Sequence, residues 1–198
     1  MSDKTEESKF VLRIEIPDND DLHHHKRNNN MKRPIIIGVM GGGEASSENM
    51  DAAYRLGALI AKQGWILLNG GRNAGIMEAS AKGAWENDGL TVGVLPDDND
   101  SNVSEYIQVP ILTGMGMARN CINVLSSHVV VACPGGTGTL SEIALALKSG
   151  KKVILMNFDL GKNLKTGLLN RYAEQGLLYH VRTPEEVIEK IKQMMDKK

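Results

Sequence analysis

Residues 129–142 read Val-Val-Val-Ala-Cys-Pro-Gly-Gly-Thr-Gly-Thr-Leu-Ser-Glu. The run Val129-Val130-Val131-Ala132-Cys133 is short, apolar and β-branched, as a buried strand is. Gly135, Gly136 and Gly138 follow it. Glycine lets the backbone turn sharply and approach a ligand closely. Ser141-Glu142-Ile143-Ala144-Leu145-Ala146-Leu147 then reads as a helix. A strand, a glycine turn and a helix N-terminus in that order make an anion site. Unpaired N–H groups and the positive dipole end point the same way. Thr137 and Thr139 add hydroxyl donors. The stretch implies an α/β fold and a phosphorylated small-molecule ligand.

Outward from this motif, strands and helices alternate from Pro34 onward. Strands are expected at residues 35–40, 65–68, 90–95, 107–112, 129–133 and 153–156, with an edge strand at 177–181. Helices are expected at residues 48–63, 75–85, 115–127, 142–148 and 167–174. In the first of these, Ala52, Ala53, Leu56, Leu59 and Ile60 share one face. Thr183-Pro184-Glu185-Glu186 opens a last helix as a capping box with proline at the first helical position. The alternation implies a single Rossmann-like, doubly wound domain: a mainly parallel sheet with helices on both faces.

Residues 1–33 are polar and charged, with one strand-like patch at 10–16. They read as a flexible polar N-terminal extension, and residues 34–198 as the Rossmann-like ligand-binding domain. Met31 is an alternative start within that extension. His23-His24-His25 reads as solvated, since a tail does not supply the fixed geometry of a metal site.

The bulk composition narrows the function classes. With 198 residues, 41% of them hydrophobic, the chain can bury a substantial core. A net charge of −1 gives no general attraction to nucleic acid or anionic membrane, and 4% aromatics leave little for stacking on bases. No apolar run approaches the roughly 20 residues of a membrane span. Two cysteines without a CxxC spacing make no disulfide framework, and the N-terminus lacks the apolar core of a secretory signal. These features predict a cytoplasmic protein with neither nucleic acid nor membrane as partner.

Three glycine turns follow expected strands: Gly41-Gly42-Gly43, Gly70-Gly71-Arg72-Asn73-Ala74-Gly75, and residues 134–139. In a doubly wound sheet all three fall on the edge where ligands bind, beyond the carboxyl ends of the strands. No GxxxxGKS or GxxxxGKT is present, which speaks against an ordinary ATPase. Gly41-Gly42-Gly43-Glu44 does not complete GxGxxG, which speaks against a classical dinucleotide site. The turns supply Gly42, Gly43, Gly71, Gly135, Gly136, Thr137, Gly138 and Thr139 as candidate ligand- and phosphate-binding residues.

The chain resembles the LONELY GUY family, a Rossmann-like group that also carries the label lysine decarboxylase. The family motif PGGxGTxxE is matched by Pro134, Gly135, Gly136, Gly138, Thr139 and Glu142. The second motif, GGGxxGxMG, appears as Gly70-Gly71-Arg72-Asn73-Ala74-Gly75-Ile76-Met77-Glu78, with Arg72 and Glu78 in place of glycines. An Arg-Lys pair before the third turn is Arg119-Asn120 here. The resemblance covers about residues 34–182. Its departures, together with Thr113-Gly114-Met115-Gly116-Met117-Ala118-Arg119-Asn120, are more similar to the molybdenum cofactor carrier branch.

That branch implies a carrier. Its cargo is an anionic pterin with a terminal phosphate and a molybdate-bearing dithiolene, bound without turnover. The LONELY GUY enzymes imply the alternative, a phosphoribohydrolase that splits a cytokinin nucleoside 5′-monophosphate into base and ribose 5-phosphate. In either case the PGG turn would hold the phosphate. The resemblance gives Arg119 to a ligand anion; Asn120 and Asn123, near it on the expected helix, read either as solvated surface residues or as hydrogen-bond partners of a heterocycle. In the enzyme, Glu142 with Arg119 would be catalytic, the carboxylate assisting an oxocarbenium-like transition state or a water attack. Glu142 also reads as the closing residue of a capping box begun by Thr139. Arg72 suits a ligand with a second anionic group, and Glu78 could pair with it. Cys133 reads as a small hydrophobe and not a metal ligand. Met115, Met117, Met194 and Met195 read as packing residues. Nothing singles out a lysine for a pyridoxal Schiff base. Family relatives are dimers or tetramers, so a homo-oligomer is implied, with molybdenum enzymes as recipients of the cofactor.

Overall fold

The strand at the centre of the sheet is Ile36–Met40, β1, whose last four residues are all buried. The computed structural model that contains it describes residues 33–160 and 168–196. After β1 come α1 (Ser47–Lys62), β2 (Ile66–Asn69), α2 (Gly75–Trp85), β3 (Thr91–Leu95) and β4 (Val109–Leu112). A 3-10 turn (Gly116–Arg119) leads into α3 (Asn120–Ser126), β5 (Val129–Ala132), α4 (Thr137–Lys148) and β6 (Lys152–Met156). The chain then forms α5 (Leu168–Glu174), β7 (Leu178–Val181) and α6 (Pro184–Met195). The extension expected over 1–33, with its histidines and Met31, lies outside the described residues apart from Arg33.

All seven strands pair in parallel, in the order β4-β3-β2-β1-β5-β6-β7. Ile37 faces Leu67 of β2 on one side and Val129 of β5 on the other. The winding therefore reverses between β1 and β5. At such a reversal the loops leaving two neighbouring strands part, and a crevice opens at their carboxyl ends.

Parallel strands with both faces covered carry continuous apolar runs, as β1, β5 and β6 do. One core layer joins Ile37, Val39, Val129, Val131 and Ile154 to α1, α2 and α6. The other joins Met40, Val130, Ala132, Val153 and Leu155 to α3 and α4. Helices α1 and α2 meet backbone to backbone, because a Cβ at Gly57 or Gly83 would collide with the carbonyl of Ser80 or Tyr54. Thr183 caps α6 by accepting the Glu186 N–H at 3.2 Å, and Glu186 accepts the Arg182 N–H at 2.8 Å. Among the described residues no helix is long and apolar enough to cross a membrane.

Two helix expectations need correction. The single helix expected over 115–127 is a 3-10 turn followed by a shorter α3. Gly114 and Gly116 adopt φ of +61° and +55°, which an α-helix does not accommodate. Helix α4 begins at Thr137 and not near Glu142, so Glu142 is not at its third position and closes no capping box. Its carboxylate is bonded from α3 instead.

Candidate functional site

The site forms where the chain leaves β1 and β5. Cys133 N–H donates to the Met40 carbonyl at 2.8 Å, continuing the strand pairing into the two turns. Gly42 N–H then donates to the Pro134 carbonyl at 3.1 Å. A Cβ on Gly135 would sit 2.7 Å from the Gly42 nitrogen, so only glycine allows this approach. The second turn joins the first through Ile76 N–H, which donates to the Gly42 carbonyl at 3.0 Å. Asn69, fully buried at the end of β2, holds that turn: its Oδ1 accepts the Gly71 N–H at 2.8 Å, and its Nδ2 donates to the Met77 carbonyl at 2.9 Å. The three glycine turns thus converge.

At their centre α4 starts without a side-chain cap: Gly136 is its N-cap, in extended conformation. The first-turn N–H groups of Thr137, Gly138 and Thr139 have no intrahelical acceptors and carry the positive end of the dipole. They border a cleft of about 250 Å³. Of the residues expected at the site, Gly42, Gly43, Arg119, Asn120, Gly136, Thr137, Gly138, Thr139 and Glu142 line it. Gly71, Arg72 and Gly135 are not in its lining. Met117 and Met77 are, and neither is among the residues expected there. Met117 is 69% exposed and Met115 is also exposed, so neither is a packing residue, whereas Met194 is in the core.

Arg119 closes one wall. Its Nη1 donates to Asn120 Oδ1 at 2.7 Å and lies 3.5 Å from Glu142 Oε1. Asn123 Nδ2 donates to the same Glu142 oxygen at 2.9 Å. Asn123 is fully buried and not on a solvated helix surface. Burial pushes the Glu142 carboxyl up from its ordinary value, against the opposing pull of Asn123 and Arg119. Burial also lowers the Arg119 guanidinium; the Glu142 charge opposes this and the Arg72 charge adds to it. Arg119 Nε is buried without a hydrogen-bond partner. Asn120 Nδ2 donates to Ser141 Oγ at 2.8 Å, which ties the Arg119 wall to α4.

Arg72 does not pair with Glu78. Its Nη2 donates to both carboxylate oxygens of Asp97, at 3.2 and 3.1 Å, while Glu78 Oε2 is buried with no partner. Val103 bridges the Arg72 backbone, and this fixes the turn beside the end of β3. Cys133 is wholly buried, which pushes its thiol up to about 12.

The model of the SLOG cluster4 family matches residues 34–188, most of the chain. The chain belongs to the SLOG cluster4 family. Among solved structures, this SLOG cluster4 protein is similar to the molybdenum cofactor binding protein of the phototrophic bacterium Rippkaea orientalis. The identity is 49%, over 82% of this chain and 98% of that one, with a TM-score of 0.76. It is also similar to the molybdenum cofactor carrier protein of Chlamydomonas reinhardtii, at 38% identity over 83% and 99% of the two chains and a TM-score of 0.74. A cytokinin riboside 5′-monophosphate phosphoribohydrolase of Mycobacterium tuberculosis is 34% identical over 110 residues, 52% of this chain and 57% of that protein.

For this SLOG cluster4 protein the arrangement has a definite chemistry. Backbone donors at a helix N-terminus suit oxyanions, and a guanidinium beside them adds a planar fork of donors. Glu142 opposes the anion while charged and no longer opposes it once protonated.

Proposed function

We propose that this protein binds and carries molybdenum cofactor, an anionic phosphorylated pterin, with the phosphate on the Pro134–Thr139 turn. The observation that carries the reading is the uncapped start of α4, at Gly136 and Thr137, open to a cleft beside Arg119. The molybdenum cofactor proteins of Rippkaea orientalis and Chlamydomonas reinhardtii support it, since they match over nearly their whole length. The cleft of about 250 Å³ is smaller than the roughly 300–1,000 Å³ that encloses a whole drug-sized ligand. It fits the phosphate end, with the pterin and its dithiolene lying along the open sheet edge. Gly42, Gly43, Gly136, Thr137, Gly138, Thr139, Arg119 and Asn120 are its proposed contacts, with Gly135 shaping the turn and Gly71 holding the second loop.

Exposed apolar side chains at Val109, Ile111, Leu112, Met115 and Met117 fit a homo-oligomer, dimer or tetramer. On this reading the protein works in the cytoplasm and passes its cargo to molybdenum enzymes. Anaerobic titration with molybdenum cofactor tests the proposal: one cofactor per chain at micromolar concentration or tighter supports it, and no binding refutes it.

A second reading, a nucleoside 5′-monophosphate phosphoribohydrolase, is favoured by the Arg119–Glu142 pair inside the cleft. Incubation with AMP or a cytokinin monophosphate decides it. Release of ribose 5-phosphate supports an enzyme, and none above background from folded protein rejects one for those substrates.

A further inference from the structure

Over the carboxyl ends of β2 and β3, Arg72 and Asp97 make a second polar group on the same sheet edge. It connects to the phosphate end through a closed run of contacts. A Cβ built on Gly70 would lie 2.7 Å from Arg119 Nη2, so the guanidinium packs against the residue two before Arg72. Gly114 N–H donates to the Asp97 carbonyl at 3.1 Å, and Gly116 N–H to the Pro96 carbonyl at 2.9 Å. These bonds hang the turn that carries Arg119 from the end of β3. Arg72 and Asp97 both act electrostatically on Arg119.

The charges of Arg72 and Asp97 cancel. A second anionic group on the ligand would gain little from an arginine already neutralised, and it would meet the Asp97 carboxylate. The pair is better matched by a neutral group that offers both donors and an acceptor. Asp97, a carboxylate with two acceptor oxygens, is 27% exposed at its side chain. Arg72 spends Nη2 on Asp97 and its Nε is buried without a partner, so Nη1 remains for a ligand on a side chain that is 43% exposed. Adjacent N–H donors and a carbonyl are what the edge of an aminopyrimidinone ring presents.

We infer that Arg72 and Asp97 form a subsite for an aminopyrimidinone edge, as in a pterin or guanine, at the end of the ligand remote from its phosphate. The inference rests on the phosphate reading above and names what the rest of that ligand must look like. Asp97 accepts from the ring and amino N–H groups, and Arg72 donates to the ring carbonyl.

The test is an anaerobic calorimetric titration of the full chain with metal-free molybdopterin, guanosine 5′-monophosphate, inosine 5′-monophosphate and ribose 5-phosphate. It is run on wild type, Asp97→Asn and Arg72→Gln, with ligand-free melting as the folding control and each variant serving if the other fails to fold. Charged hydrogen bonds of this kind give molybdopterin a margin of about tenfold or more over ribose 5-phosphate in wild type. Each variant should lose that margin, the ratio of the two affinities in one protein, while ribose 5-phosphate still binds, because the charge left acting on Arg119 affects both phosphate ends alike. Guanosine monophosphate binding more tightly than the inosine form extends the edge to guanine; equal binding, with the molybdopterin margin intact, assigns it to a pterin. A margin absent in wild type or unchanged in both variants overturns the subsite alone, as does one lost together with ribose 5-phosphate affinity. Wild type that binds no phosphate-bearing probe overturns the phosphate reading, and the subsite with it.

Discussion

Arg119 Nη1 stands 3.5 Å from Glu142 Oε1, and the two side chains are 11% and 7% exposed. The pair lies at the mouth of a helix dipole that itself attracts anions. An incoming phosphate therefore competes with Glu142 for Arg119. Replacing Glu142→Gln keeps the shape and removes the competing charge. Affinity for ribose 5-phosphate should rise several-fold, and any phosphoribohydrolase turnover should disappear. Calorimetry and a ribose 5-phosphate assay on the same variant check both.

The same carboxyl governs a pH dependence. Its folded pKa is raised, chiefly by burial, so the protonated form is the one the fold favours. The stability it contributes is present below the unfolded carboxyl value and is lost as pH rises through the folded value. Wild type should therefore fall behind Glu142→Gln as pH rises from about 4.5 towards neutrality, where the carboxylate is charged and buried. Urea denaturation of both proteins across that window should show the gap widening. A constant gap would contradict the assignment.

Gly135 and Gly136 should respond differently to alanine. At Gly135 the added Cβ meets the Gly42 nitrogen at 2.7 Å, so Gly135→Ala should cost about 1–3 kcal/mol through overpacking. Nothing lies within 4 Å of a Cβ on Gly136, whose φ of −90° suits alanine. Gly136→Ala should stay within about 0.5 kcal/mol of wild type in stability. It should nevertheless weaken phosphate binding, because Gly136 lines the cleft. Thermal melts paired with titrations separate the two effects.

The two cysteines should differ in reactivity. Cys121 is exposed, while Cys133 is wholly buried with its thiol pushed up to about 12. Thiolate is the reactive form. A thiol reagent at neutral pH should modify Cys121 alone in the native protein and both residues in denaturant.

The central motif was legible because its signals are local. The β5 run, the Pro134–Gly136 turn and the α4 apolar face lie within a few residues of each other. The helix start was misplaced because Thr137 and Gly138 look like turn residues, and only the Leu140 N–H donating to the Gly136 carbonyl at 3.1 Å shows the helix already begun. The Asn123–Glu142 and Arg72–Asp97 bonds span 19 and 25 residues. They depend on α3 lying beside α4 and on β2 beside β3, a strand order that periodicity does not encode. Asn69 was hidden because an Asn-Gly-Gly run reads as a turn, while its side chain is a buried clamp.

The most direct measurement follows the backbone amide resonances of Thr137, Gly138 and Thr139 by NMR during anaerobic titration with metal-free molybdopterin. Large shifts at these three amides, saturating at one ligand per chain and absent in Arg119→Met, are the expected result. Saturable binding that leaves these amides unmoved while others shift would place the phosphate elsewhere and contradict the account.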